Sequence, residues 1–114
     1  MFEKNLEVGL LLDFYGDILP SRRREMMDLY YNDDLSLAEV AEQLGVTRQA
    51  VRETVKKTEN ELYFYEEKLG LLQRFTEAQA CAARIRVLCT EEDNRVSPAL
   101  REAIHRLCKV VGAE

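Results

Sequence analysis

The segment from Ser36 to Leu62 constrains the fold more than any other part of the chain. Ser36 can cap the start of a helix, and Glu39 three residues later can close a capping box. Gly45 tolerates the positive φ of a tight turn, and Thr47 can cap the helix that follows. Apolar residues at helical spacing fill the angle between the two helices: Leu37, Val40, Ala41, Leu44, Val46 and Val51. The pattern predicts two helices joined by a sharp turn, a helix-turn-helix.

The second helix of this motif directs polar side chains away from the predicted core. Arg48, Gln49 and Arg52 lie near its N-terminus, and Lys56 follows one turn later. Residues in this part of a recognition helix reach base edges, where Arg can pair with guanine and Gln with adenine. We therefore predict that Arg48, Gln49 and Arg52 contact bases and that Lys56 contacts phosphate.

Three consecutive cations, Arg22, Arg23 and Arg24, precede the motif. In the first turn of a helix they oppose the helix dipole, at a cost of roughly a few tenths of a kcal/mol each. Two interpretations stay open. Either the three arginines contact phosphates beside the helix-turn-helix, or they form a solvated basic turn next to Glu25.

The rest of the chain also has the helical period, and we predict an all-α fold with about six helices. A first helix should run from about Glu3 to Tyr15, with Leu6, Leu10 and Phe14 inward, Leu11 and Ile18 on the flank, and Gly16 at its end. A second should begin after an N-cap at Ser21 and end around Tyr31, with Met26, Met27, Leu29 and Tyr30 on or near its buried side. Asn32 to Asp34 should form the turn into the capping box.

The recognition helix has no stop signal before Gly70, so its second half should pack on the first helix or on another subunit through Tyr63, Phe64 and Tyr65. Base stacking by these aromatic rings is the less favoured alternative. A further helix should run from Leu71 to about Cys89 with the apolar stripe Leu72, Phe75, Ala78, Ala82, Ile85, Leu88 and Cys89. After a polar break at Glu91 to Asn94, Ser97 and Pro98 should open the last helix, which carries Leu100, Ile104, Leu107, Cys108 and Val111.

We expect one helical domain over residues 1–114, with the helix-turn-helix core at 21–62 and a C-terminal extension at 71–111. The net charge of −5 argues against a protein that coats nucleic acid by phosphate attraction alone. Residues 35–62 hold four bases and five acids, so a lone monomer should bind duplex DNA weakly. The long recognition helix and the apolar C-terminal stripes predict a homodimer, which would double the contacts.

Catalysis is not expected from this sequence. His105 is the single histidine and has no nearby nucleophile, and no glycine-rich loop follows a strand. The acidic pairs, such as Glu66 with Glu67, are adjacent and are typical of solvated surfaces. We predict no catalytic residue, no metal site, no cofactor and no small-molecule substrate.

Cysteine usage and hydropathy indicate a cytoplasmic protein. Cys81, Cys89 and Cys108 are odd in number, lie on apolar helical faces and form no Cys-x-x-Cys pair, so we expect buried, reduced thiols. The apolar run near the N-terminus is interrupted by Glu7 and Asp13, and it has neither a basic start nor a cleavage site. Neither a signal peptide nor a membrane span is predicted.

Two levels of family resemblance follow from these motifs. The segment from Ile18 to Leu62 resembles the region 4 helix-turn-helix of bacterial sigma factors in its leucine-proline lead, in Glu25 and in its Gly-Val-Thr-Arg turn. The segment from Leu10 to Leu72 is more closely similar to the YlxM family of small bacterial helix-turn-helix proteins. The sequences that carry this similarity are LLLDFYGDIL, LYYNDDLSLAEVAEQLGVTRQAV and TENELYFYEEKLGLL.

The YlxM resemblance implies a regulatory role in the signal recognition particle pathway, with DNA or the particle's RNA as ligand. The alternative is a protein-interaction module that docks on the particle's GTPase or its receptor without binding DNA. This chain departs from the family pattern at Arg52, where members often carry tyrosine, and at Arg22 to Arg24, which replace a milder Lys-Gln-type run. Both departures make the predicted surface more basic.

Overall fold

The computed structural model describes residues 4–113, and over that range it is helical with no strand. Its six α-helices are α1 (Leu6–Tyr15), α2 (Ser21–Met27), α3 (Leu37–Leu44), α4 (Arg48–Leu69), α5 (Leu71–Glu91) and α6 (Pro98–Val111). Short 3-10 turns lie at Gly16–Ile18 and Asp93–Arg95, and a π-helical turn at Asp28–Asn32 continues α2. The predicted all-α fold class is confirmed. None of the described helices is long and apolar enough to cross a membrane.

The helices form two compact units, Met1–Gly70 with α1 to α4 and Leu71–Glu114 with α5 and α6. The single domain expected from the sequence stays a prediction. The expected start of the first helix at Glu3 lies outside the described residues.

The helix-turn-helix forms as the local signals predict. Ser36 Oγ accepts from the Glu39 amide, and Glu39 Oε1 accepts from the Ser36 amide, each at 3.1 Å. The hydrogen bonds with Ser36 lower the pKa of the Glu39 carboxyl. Gly45 ends α3 in the left-handed region at φ 69°, and Thr47 Oγ1 accepts from the Ala50 amide at 3.0 Å. Both caps and the turn are confirmed.

The first unit buries its core between α4 and the three helices before it. From α4 the core takes Val51, Val55, Thr58 and Leu62, and from α3 it takes Leu37, Val40 and Ala41. Met26, Met27 and Tyr30 of the second helical segment are buried as predicted, whereas Leu29 is half-buried. Helix α4 is therefore the central element of this unit.

The predicted inward face of α1 is wrong. Leu6 is 88% exposed and Leu10 is 51% exposed, whereas Val8, Leu11, Leu12 and Tyr15 are the buried residues of this helix. Ile18 is also exposed, and Phe14 is half-buried. Two leucine-rich faces compete in this helix, and the buried one carries Tyr15, whose hydroxyl donates to Glu66 Oε1 of α4 at 2.6 Å.

The start and end of α2 also differ from the prediction. Ser21 is the first helical residue, not the cap; Pro20 takes the cap position and makes no side-chain hydrogen bond there. The helix widens into the π-helical turn, where the Tyr31 hydroxyl donates to the Glu59 carboxylate. Burial and this carboxylate raise the pKa of Tyr31. The hydrophobic period of the sequence does not reveal a π-helical turn, because such a turn adds only one residue to a single turn of the helix.

The second unit is a helical hairpin with little buried side chain. Ser97 Oγ accepts from the Leu100 amide at 3.1 Å and Pro98 begins α6, as predicted. Within the described part of this unit only Ala82 and Cys108 are buried. The predicted apolar stripes form, but several of their members are exposed: Phe75, Ile85, Leu88, Leu100 and Leu107.

The cysteines differ from each other in burial. Cys108 is buried, with Sγ 3.5 Å from the Ala82 carbonyl oxygen, and Cys89 is half-buried. Cys81 is exposed, so the prediction that all three thiols are buried is wrong for this residue. All three are free thiols in the structure.

Candidate nucleic-acid interface

The N-terminal half of α4 presents a basic face to solvent. Arg48, Arg52 and Lys56 are exposed and are spaced four residues apart, so they align along one side of the helix. Lys57, which was not among the residues predicted to bind nucleic acid, is also exposed on this half of the helix. Val51 and Val55 hold the opposite side in the core with 0% exposure. None of the four cations forms an ion pair within residues 4–113.

Gln49 and Glu53 form a second row on this face. Gln49 Nε2 donates to Glu53 Oε1 at 3.0 Å, and both side chains are exposed. The hydrogen bond occupies one amide hydrogen of Gln49 and leaves its carbonyl oxygen available to a base edge. Glu53 is the one acid among the exposed side chains between Arg48 and Lys57.

Three acids in the second half of α4 hold the helix against the rest of the unit. Glu59 accepts from Tyr31 of the π-helical turn, Glu61 accepts from Arg23 of α2, and Glu66 accepts from Tyr15 of α1. Part of the negative charge that argues against nucleic-acid binding therefore makes contacts within the first unit. We call Glu59, Glu61 and Glu66 the acidic clamp of α4.

The aromatic cluster of α4 divides between the core side and solvent. Asn5 Nδ2 donates to the Tyr63 hydroxyl at 2.8 Å, and the rings of Tyr15 and Tyr65 lie 6.0 Å apart between centroids. These contacts join α4 to α1 and to its N-cap residue Asn5, which agrees with the prediction that this half of α4 packs on the first helix. Phe64 is exposed, and the Lys68 ammonium lies 5.6 Å from the centre of its ring.

The three arginines of α2 all contact other parts of the first unit. Arg22 donates to the Leu44 carbonyl oxygen at the end of α3 at 3.0 Å. Arg23 Nε donates to Thr58 Oγ1 at 3.2 Å and its guanidinium pairs with Glu61. Arg24 pairs with Asp17 at 3.2 Å and with Asp28 at 3.1 Å. A phosphate contact for these residues stays a prediction, and only Arg22 is exposed.

Acidic side chains are exposed on α3 and in the segment before it. Glu39 and Glu42 of α3 are exposed, as are Asp33 and Asp34 before it. Lys4 pairs with Asp34 at 2.9 Å, and its ammonium lies 4.3 Å above the Tyr30 ring centre. Asp34 and Glu39 line one depression together with Arg48, so acidic side chains reach the edge of the basic face.

No catalytic residue was predicted from the sequence. The single histidine, His105, has an exposed side chain on α6. Among the described residues no group of three or more His, Cys, Asp and Glu side chains could hold a metal ion. The distinctive chemistry of this surface is its charge.

Fold and surface together define the class of protein: this is a helix-turn-helix protein. The helix-turn-helix is a non-enzymatic kind of fold, and families that have it typically bind nucleic acid. Residues 2–109 match a family model, UPF0122, described as "Putative helix-turn-helix protein, YlxM / p13 like". The chain belongs to this family, in agreement with the resemblance found from its motifs.

Curated relatives support the assignment over nearly the full length. UPF0122 proteins of Bacillus cereus strain AH187, Bacillus anthracis strain A0248 and Bacillus thuringiensis subsp. konkukian strain 97-27 are each similar to this chain. Each is 46% identical over 109 residues, which cover 94% of this chain and 99% of the relative. The similarity thus includes the C-terminal hairpin, beyond the segment that the motifs cover.

Proposed function

We propose that this protein is a regulatory protein that binds nucleic acid through the N-terminal half of α4. The observation that carries the proposal is the exposed row of Arg48, Arg52 and Lys56, to which Lys57 adds a fourth cation without an internal ion pair. Arg48, Gln49 and Arg52 would contact bases, and the two lysines would contact phosphates. Arg22, at the edge of the motif, would add a phosphate contact.

The nucleic acid would be DNA or the signal recognition particle RNA, and the regulation would act in the signal recognition particle pathway. Family membership supports this part of the proposal, since the motif resemblance implies it. We place the protein in the cytoplasm, where free thiols such as the exposed Cys81 persist.

Crosslinking in the native cell, followed by sequencing of the bound nucleic acids and identification of the bound proteins, tests the proposal without assuming a target. We expect one promoter set or the particle's RNA to be enriched. In binding assays with that ligand, each of Arg48→Ala and Arg52→Ala should cost about 1–3 kcal/mol. The matched control is Arg84→Ala with Arg86→Ala, two exposed arginines of α5, which should leave affinity unchanged. Equal losses of affinity from the Arg48→Ala and Arg52→Ala double variant and from this double control would contradict the proposal.

A second candidate function is docking on the signal recognition particle GTPase or its receptor without binding DNA. The exposed acids Asp33, Asp34, Glu39 and Glu42 favour it, because two of them line a depression with Arg48 and would repel phosphates there. Under this alternative, a pull-down of the GTPase or receptor would survive the Arg48 and Arg52 double change.

We further propose a homodimer, which would bring two recognition helices to one duplex. The exposed apolar side chains of α5 and α6 support it, since a hairpin this small leaves them uncovered. Sedimentation at micromolar concentration should give twice the chain mass; a 13.2 kDa species would contradict the dimer.

A further inference from the structure

We propose that the outer face of α6 binds the same face of a second copy of this chain, antiparallel and across a two-fold axis. This inference rests on the homodimer proposed above and names its surface. The outer face consists of Ala99, Glu102, Ala103, Arg106, Leu107 and Val110, which together line one depression along the helix.

The opposite face of α6 is already occupied within its own hairpin. Cys108 is buried there against the Ala82 carbonyl of α5. Gln79 Nε2 of α5 donates to the Val111 carbonyl oxygen at 2.7 Å, which fixes the end of α6. The helix therefore has one face turned to α5 and a second apolar face without a described covering.

The outer face of α6 is apolar at its centre, and its side chains are small enough for another helix to pack closely against it. Ala99, Ala103, Leu107 and Val110 recur at three- and four-residue steps, and all are exposed, Val110 to 74%. Two alanines in such a stripe let another helix come near the backbone, and Leu107 and Val110 supply the apolar area.

Charge identifies the second helix as another copy of α6. Glu102 and Arg106 border this face four residues apart, and neither forms an ion pair within the described residues. A two-fold axis at the level of Ile104 makes the two helices antiparallel and places Glu102 of each copy opposite Arg106 of the other. Two such pairs form. A parallel pairing in register would place like charges opposite each other, so the face complements itself only when antiparallel.

The same register places Val110 beside Ala99 of the second copy, so a large side chain meets a small one. Two hairpins joined in this way make a four-helix arrangement, which supplies the second layer that a two-helix unit lacks. Only Ala82 and Cys108 are buried among the described residues of this unit, so burial of the outer face against a partner would stabilise it.

The experiment is sedimentation equilibrium of the full chain and of charge-reversed variants over a micromolar concentration range. Glu102→Arg and Arg106→Glu should each weaken dimerisation by about tenfold or more, because like charges then meet across the axis. The double variant should recover the affinity to within about threefold, because the pairs are restored in reverse. Glu77→Arg, a reversal of an exposed acid on α5, is the matched control and should have no such effect. Far-UV circular dichroism verifies that helix content is unchanged.

The outcomes separate this inference from the proposals it rests on. A monomeric wild-type chain would overturn the homodimer and this surface together, and Arg48-dependent nucleic-acid binding would be unaffected by that result. A dimer that ignores both single reversals, or that the double variant does not restore, would overturn the α6 surface alone. Equal weakening by Glu77→Arg would do the same.

Discussion

Thr58 is a fully buried polar side chain, and its hydroxyl accepts from Arg23 Nε. The same guanidinium pairs with Glu61, so a single side chain of α2 satisfies two polar groups of α4. These contacts offset the unfavourable interaction of a cation with the helix dipole in the first turn. The contact stabilises the position of α4 in the core.

Replacing Arg23 by Ala should therefore lower the free energy of unfolding by about 1–3 kcal/mol, because the buried Thr58 hydroxyl and the Glu61 carboxylate lose their donor. Urea unfolding followed by circular dichroism measures the change. Arg22→Ala is the control, since Arg22 is exposed and should cost no more than about 0.5 kcal/mol. A stable Arg23→Ala protein that has lost nucleic-acid affinity would instead favour the phosphate interpretation.

Two glycines of the first unit allow a test of the turn between α3 and α4. Gly45 has φ 69° and Gly9 lies within α1, and a Cβ added at either position would meet nothing within 4 Å. The two sites thus differ in backbone conformation and not in available space.

Gly45→Ala should destabilise the fold by roughly 1–2 kcal/mol, because a side chain disfavours the left-handed conformation. Gly9→Ala should stabilise it by about 0.5–1 kcal/mol, because Ala is the better helix former. Thermal and urea unfolding of both variants measure the two effects. Changes of the same sign would show that the backbone conformation at residue 45 does not control stability.

The elements also show what the sequence can and cannot predict. The caps at Ser36, Thr47 and Ser97 are local in the chain, and all three were predicted correctly. The buried face of α1 was predicted wrongly, because the leucine-rich run offers two stripes and the choice depends on Glu66, fifty-one residues after Tyr15. The partners of Arg23 are likewise distant in sequence, so periodicity could not find them. Lys57 was detectable, since it lies four residues after Glu53 on the same exposed row.

The whole molecule has a net charge of −5, yet its proposed interface carries four exposed cations per chain. If Lys56, Lys57 and Arg22 each neutralise one phosphate of duplex DNA, the slope of log K against log salt should be roughly −3 for one copy and roughly −5 for a dimer. Titrations between low and physiological salt measure it. The Lys56→Ala and Lys57→Ala double variant should reduce the slope to about a third, and a wild-type slope near zero would contradict phosphate binding by this face.

The acidic clamp of α4 has a consequence for how this protein can evolve. Glu59, Glu61 and Glu66 fix the helix from its second half, and Val51 and Val55 fix the first half from the core side. The exposed row from Arg48 to Lys57 makes no ion pair within the described residues, so its side chains can be exchanged with little loss of stability. Mutation can therefore change the chemistry of this surface while selection for folding acts on other residues.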